Sequence, residues 1–178
     1  IIVDSQNVSV LEVFLFCVGL QWSLDHEFAP QWGKTATLKV YAVGDAIPEA
    51  EWRIRLIDYR PNPMNGGEHD YELVDNRFHR PKGWATCELG LMGNWMFRLA
   101  HETFEMVANP FIMTYEHAGS GKVTFREVCD DPVNNLWHEI QVDGIKYMIH
   151  DFLYPSAFMS EGKPPYDSGR RLTKPMVS

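Results

Sequence analysis

Cysteine is scarce in this chain, and the three present form none of the usual patterns. Cys17, Cys87 and Cys129 are odd in number and include no C-x-x-C pair. That argues against a disulfide scaffold or a zinc knuckle, and at least one thiol is free within the chain. That usage fits a reducing compartment such as the cytoplasm. Long apolar runs are missing as well. Val13 to Leu20, bounded by Glu12 and Gln21, falls far short of the roughly 20 residues a membrane span needs. It also lacks the basic flank and small-residue cleavage site of a secretory leader. Positive charge is in deficit: the formal net charge is −8, which argues against nucleic acid or an anionic membrane as partner. The one dense basic cluster, Arg170, Arg171 and Lys174, lies in the final segment.

Several chemical signatures are absent too. There is no G-x-S-x-G elbow, no dinucleotide or P-loop glycine pattern and no H-E-x-x-H pair. No cofactor and no metal ligand set is expected from these spacings. Chemistry, if any, would be proton transfer by side chains alone.

What the chain does have is enough apolar material for a core. Hydrophobic residues make up 45% and aromatics 13% of 178 residues, which suits one domain over 1–160 with an extended surface tail over 161–178. The clearest local signal is Leu136 to Pro155, where two alternating runs meet at Asp143-Gly144, a dipeptide suited to a two-residue hairpin turn. Counting from that turn sets Val142 opposite Ile145, Ile140 opposite Tyr147, His138 opposite Ile149 and Leu136 opposite Asp151. The more apolar face then carries His138, Tyr147 and Asp151 inward.

Elsewhere, Val8 to Trp22 reads as a strand buried on both faces, with a buried helix as the alternative. Ser23 to Lys34 reads as a loop. Thr37 to Val43 and Trp52 to Tyr59 alternate as strands, the second with an apolar face that ends in Asp58. Arg60 to Asp70 is the strongest loop, Tyr71 to Val74 a short strand, Asn76 to Gly83 a polar connection and Trp84 to Leu91 a further strand. Polar residues at Arg98, His101, Glu102 and Glu105 opposite Met96, Phe104 and Val107 predict a helix over 95–108. In that helix His101 lies with Glu105 on a solvated face; read as a strand, the segment would turn His101 inward. Phe111 to Glu116 and Lys122 to Cys129 form a second hairpin across HAGSG.

Seven or eight strands with hairpin turns and one helix predict a mainly β protein, an antiparallel β-barrel or a β-sandwich. The candidate catalytic residues are His138, Asp151, Tyr147, Asp58 and His101, because an imidazole oriented by a carboxylate has the makings of a general base. Two functions follow. One is a barrel that takes an apolar small molecule, as a carrier or as a cofactor-independent isomerase, cyclase or lyase. The other is a sandwich that binds glycan or protein through exposed aromatics such as Trp137. Nothing in the composition excludes an oligomer.

Overall fold

The computed structural model describes the chain except for residues 63, 89–94, 113, 117–122, 126, 131, 160 and 177–178. It is a mixed α/β structure with a largely parallel sheet, and the described residues form no closed barrel. Nine strands are present among the described residues: β1 Ile2–Asp4, β2 Tyr41–Ala42, β3 Arg53–Ile57, β4 Gly67–Val74, β5 Phe78–Thr86, β6 Thr114–Glu116, β7 Val123–Phe125, β8 Trp137–Val142 and β9 Ile145–His150. Five of them form one sheet in the order β2-β1-β3-β5-β4. Every neighbouring pair in it is parallel except β4 with β5. The pairs β6-β7 and β8-β9 are separate antiparallel ribbons.

The expected mainly β barrel or sandwich is thus overturned, and the reason lies in the first thirty residues. Val10–Ser23 is a helix, α1, not a doubly buried strand. Ser9 caps it, accepting from the Glu12 main chain at 3.2 Å while Glu12 reaches back to the Ser9 N–H at 2.8 Å. This reciprocal box satisfies two orphan donors of the first turn. The predicted loop after it stays helical, through a π-helical turn at Leu24–Phe28 into α2, Ala29–Trp32. Pro30 stands at the start of α2, directly after the π-helical turn, and Gly33 closes α2 at φ 66°. We expect Ser9→Ala to destabilise the protein by about 1 kcal/mol in urea denaturation. An unchanged midpoint would mean that tertiary packing alone holds the first turn.

The predicted 95–108 helix forms as α3, Trp95–Ala108, but its polar side is not solvated. The helix lies on β3, β4 and β5 and turns its other side to β9, while α1 packs against β8, β9 and α3. Caught between the sheet and the β8-β9 hairpin, α3 buries ten of its fourteen residues, with Glu102 and Glu105 among them. The hairpin has the register counted from Asp143-Gly144, with Ile140 opposite Tyr147 and His138 opposite Ile149. Both turn residues have positive φ, 51° and 82°.

The strand edges near the cleft also differ from expectation. β4 begins at Gly67, inside the predicted loop, and β5 runs through the predicted polar connection. Pro81 is tolerated in β5 because β3 pairs only from Lys82 onward and because Tyr71-Pro81 is a non-bonded pair of the β4 ladder. That phase follows from Thr86 N–H donating to Gly66 O at 2.9 Å, which makes Gly66-Thr86 a bonded pair and puts the alternate pairs out of bonding. The second hairpin exists as β6-β7, and its HAGSG tip lies outside the described residues. After 160 the chain crosses the surface but buries Tyr166 and Asp167. No described helix is long and apolar enough to cross a membrane.

Candidate functional site

Two clusters of ionisable groups meet at the junction of β9 with α3, and the sequence-derived candidates divide between them. The first is built on His138. Its Nδ1 lies 2.7 Å from Asp151 Oδ1 and its Nε2 3.1 Å from Glu27 Oε2, so the ring is held between two carboxylates. The second Asp151 oxygen accepts from Arg171 Nη1 at 2.8 Å, and the Asp151 side chain is wholly buried. Burial alone would lower the His138 pKa, but the hydrogen bonds to Asp151 and Glu27 outweigh it and raise the value to about 9. An imidazole that stays charged through neutrality is a brace, with no free nitrogen for a substrate proton. His138 does not line the cleft that His101 lines.

Tyr147 and Asp58 do not join this cluster. The Tyr147 ring packs on Gly19 of α1 so closely that a Cβ there would meet Cγ at 2.3 Å. Asp58 sits beyond β3, where it accepts from Ser5 Oγ and from the Gln6 N–H at 2.6 Å. It organises the turn between β1 and α1.

His101 belongs to the second cluster, which forms the wall of a cleft of about 440 Å³. The cleft is lined by α3, the start of β4 and the segment after β7. His101 Nε2 lies 3.2 Å from Glu105 Oε2 and 3.6 Å from Asp130 Oδ1. His69, on the inward face of β4, has its Nδ1 3.7 Å from both Glu102 Oε2 and Glu105 Oε2. Those last separations exceed a hydrogen bond and are ionic contacts. Glu105 Oε1 accepts from the Cys129 N–H at 3.1 Å, which fixes the carboxylate and leaves Oε2 facing both histidines. His69 Nε2 and Glu102 Oε2 are buried without a hydrogen-bond partner among the described residues.

A hydrogen-bond chain sets the tautomer of His101. His150 is fully buried, and burial together with the nearby His101 charge lowers its pKa to about 3, so it is neutral. Its Nδ1 donates to the Asp151 carbonyl at 2.5 Å, which leaves Nε2 as an acceptor. That acceptor is 3.2 Å from His101 Nδ1, so Nδ1 carries the proton and His101 Nε2 is the atom turned toward Glu105 and Asp130. The two clusters are thus joined at Asp151: its carboxylate is clamped by His138 and Arg171, and its carbonyl orients the histidine that orients His101.

The electrostatics of the cleft are those of too many carboxylates in too little solvent. Burial and the Glu105 charge raise Glu127 to about 8, and burial raises Glu102. Burial would lower His101, yet the Glu105 charge and hydrogen bond carry it up to about 9. His69 is raised against its own burial, chiefly by Glu102, and Glu105 is lowered against its burial by His101. Glu127 and His101 therefore hold protons near neutrality, and a metal cation can displace such protons. Because Glu102 Oε2 is buried without a donor, we expect Glu102→Gln to stabilise the metal-free protein by about 1–3 kcal/mol. A thermal melt in chelator tests this, and a lower midpoint would mean that the ionic contact with His69 outweighs desolvation.

Of the sequence-derived candidates, His101 alone lies in the cleft; Glu102, Glu105, His69, Glu127 and Asp130 were missed. A signal existed for two of them, Glu102 and Glu105. His101-Glu102-x-x-Glu105 on a helix puts positions one and five on a common side, the spacing of a metal-binding helix with glutamate as the second ligand. His69 was read as loop, and nothing local marks Glu127 or Asp130. Comparisons with family models, curated proteins and solved structures found no match to this chain.

Proposed function

We propose that this protein is a divalent-metal-dependent hydrolase, with the ion held by His101 Nε2, Glu105 Oε2 and Asp130 Oδ1. The observation that carries the reading is the spacing of these atoms. Ligand atoms around a tetrahedral ion with bonds of about 2.0–2.1 Å lie roughly 3.3–3.4 Å apart, and His101 sits 3.2 and 3.6 Å from the two carboxylate oxygens. All three ligand atoms fall within 4.8 Å of one another. The outer partners are of the expected kind: His150 orients His101, and the Cys129 N–H orients Glu105. The set is nitrogen and oxygen, which suits zinc and its neighbours better than calcium.

An ion there would polarise a substrate carbonyl and make water a better nucleophile at neutral pH. With the ion's charge drawing Glu127 into its carboxylate form, the water oxygen would bond to the acyl carbon and its proton would pass to Glu127, which lines the same cleft. The proton then moves to the leaving nitrogen as the carbon–nitrogen bond breaks. A peptide amide is the substrate best supported. β4 is an edge strand, and by the phase of its ladder the main-chain groups of Gly67 and His69 point away from β5. An extended chain can add to such an edge, and these two residues line the cleft.

The test is isothermal titration of chelator-treated protein with Zn(II), followed by digestion of an unfolded casein substrate. Wild type should bind zinc and cleave, chelator should stop cleavage, and His101→Ala should lose both. Absence of zinc binding in wild type, or cleavage indifferent to chelator, would overturn the proposal.

A further inference from the structure

We infer that the cleft takes two divalent cations, with Glu105 Oε2 as the ligand they share and with His69 and Glu102 completing the second position. This rests on the metal-site reading of His101, Glu105 and Asp130 and extends it. The two triads meet at one oxygen atom. His101 Nε2 lies 3.2 Å from it and His69 Nδ1 3.7 Å from it, while Glu102 Oε2 is 3.7 Å from His69 Nδ1. The ligand atoms of the second triad also lie within 4.8 Å of one another. Hydrolytic pairs of ions sit about 3.5–4 Å apart and share ligands of this kind.

Two independent observations favour the second position over a purely supporting role. Glu102 is only 4% exposed, and its Oε2 has no hydrogen-bond donor among the described residues. A single ion at His101 makes no use of that oxygen, and a carboxylate is seldom buried without being paired or coordinated. The backbone also makes room for it. A Cβ on Gly67 would stand 2.4 Å from Glu102 Oε1, so any larger residue there would push the carboxylate out of this position. The charge count agrees. Glu102, Glu105, Glu127 and Asp130 carry four negative charges when ionised, and two divalent ions balance them with both imidazoles neutral.

The experiment loads chelator-treated full chain with Co(II) or Mn(II), removes excess by desalting and measures metal per chain by elemental analysis. Wild type should hold two equivalents, and the loaded protein should show the exchange-coupled paramagnetic spectrum of two ions that share a ligand. His69→Gln and Glu102→Gln should each drop to one equivalent, lose the coupled signal and keep the affinity of the remaining ion within a few-fold. Circular dichroism melts confirm that each variant is folded; Glu102→Gln is the safer of the two, since it is expected to gain stability. No bound metal in wild type overturns both this inference and the reading beneath it. One equivalent in wild type overturns the second position alone. Two uncoupled equivalents, or two that persist in both variants, place the second ion elsewhere and overturn the shared Glu105.

Discussion

Replacing Asp151 by Asn should cost about 3–5 kcal/mol, as removal of one member of a buried charge cluster does. Asp151 is fully buried and is the common anion of His138 and Arg171. Arg171 is 44% exposed and can return to water, but His138 is 14% exposed and cannot. The loss should depend on pH in a defined direction. The folded pKa of His138 lies at about 9, above its ordinary 6.5. A raised value means that the folded state favours the proton, so the stabilisation is complete below pH 6.5. It is then lost as pH rises through about 9. The shift corresponds to roughly 3 kcal/mol. His138→Gln isolates this contribution: its cost in urea denaturation should be large at pH 6 and much smaller at pH 9.5. Equal costs at the two pH values would show that the ring serves by packing and not by charge. Asp151→Asn should also loosen the tie between the Asp151 carbonyl and His150. Metal affinity should therefore weaken by about 10–100-fold, the usual cost of a lost outer partner.

Glu105→Gln should remove metal binding, with at least a 100-fold loss of affinity and no cleavage above background. The amide can still accept from the Cys129 N–H through its oxygen, so the fold should survive. What it cannot offer is a second anionic oxygen at the point where His101 and His69 converge. Without that charge, His101 should titrate well below its present value of about 9, because Glu105 is the main group that raises it against burial. The imidazole carbon proton in a nuclear magnetic resonance titration reads this directly. Glu105→Asp keeps the charge on a shorter arm and should recover part of the binding. Full metal affinity in Glu105→Gln would exclude Glu105 as a ligand.

What could be read from the sequence was what local geometry decides. The Asp143-Gly144 turn left one register, and a single residue of slip would have exposed Ile140 and Ile149. The α3 period was legible because Asn109-Pro110 stops it and its polar and apolar positions separate. The burial of its polar side was not, because that depends on β4 and β9 arriving from distant parts of the chain. Val10–Ser23 misled for a related reason. Leu11, Phe14, Leu15 and Val18 are exposed, so the helix is apolar all round and shows no period to read. The Ser9-x-x-Glu12 box was the signal to weigh instead. The parallel sheet was hidden by its own brevity: β1 has three residues and β2 two, too few for alternation to register. Outside the cleft, His138 and Asp151 were found because the β8-β9 hairpin sets them together. The metal-ligand candidates come from β4, α3 and the segment after β7, and no spacing rule spans those three.

The position of β1 bears on the order in which the molecule assembles. Although it comes first in the chain, β1 is an interior strand, with Ile2 set between Tyr41 and Arg55. During synthesis it has no partner on either side until those residues emerge, and each pairing must close a long loop. α1, capped by its own residues, and the hairpin at Asp143-Gly144 face no such wait. The sheet that carries His69 is completed only when β4 and β5 arrive, and His150 emerges later still. A nascent chain halted after α3 would thus display His101, Glu102 and Glu105 before the residue that fixes the His101 proton had left the ribosome. The proposed ligands are made in one order and oriented in another.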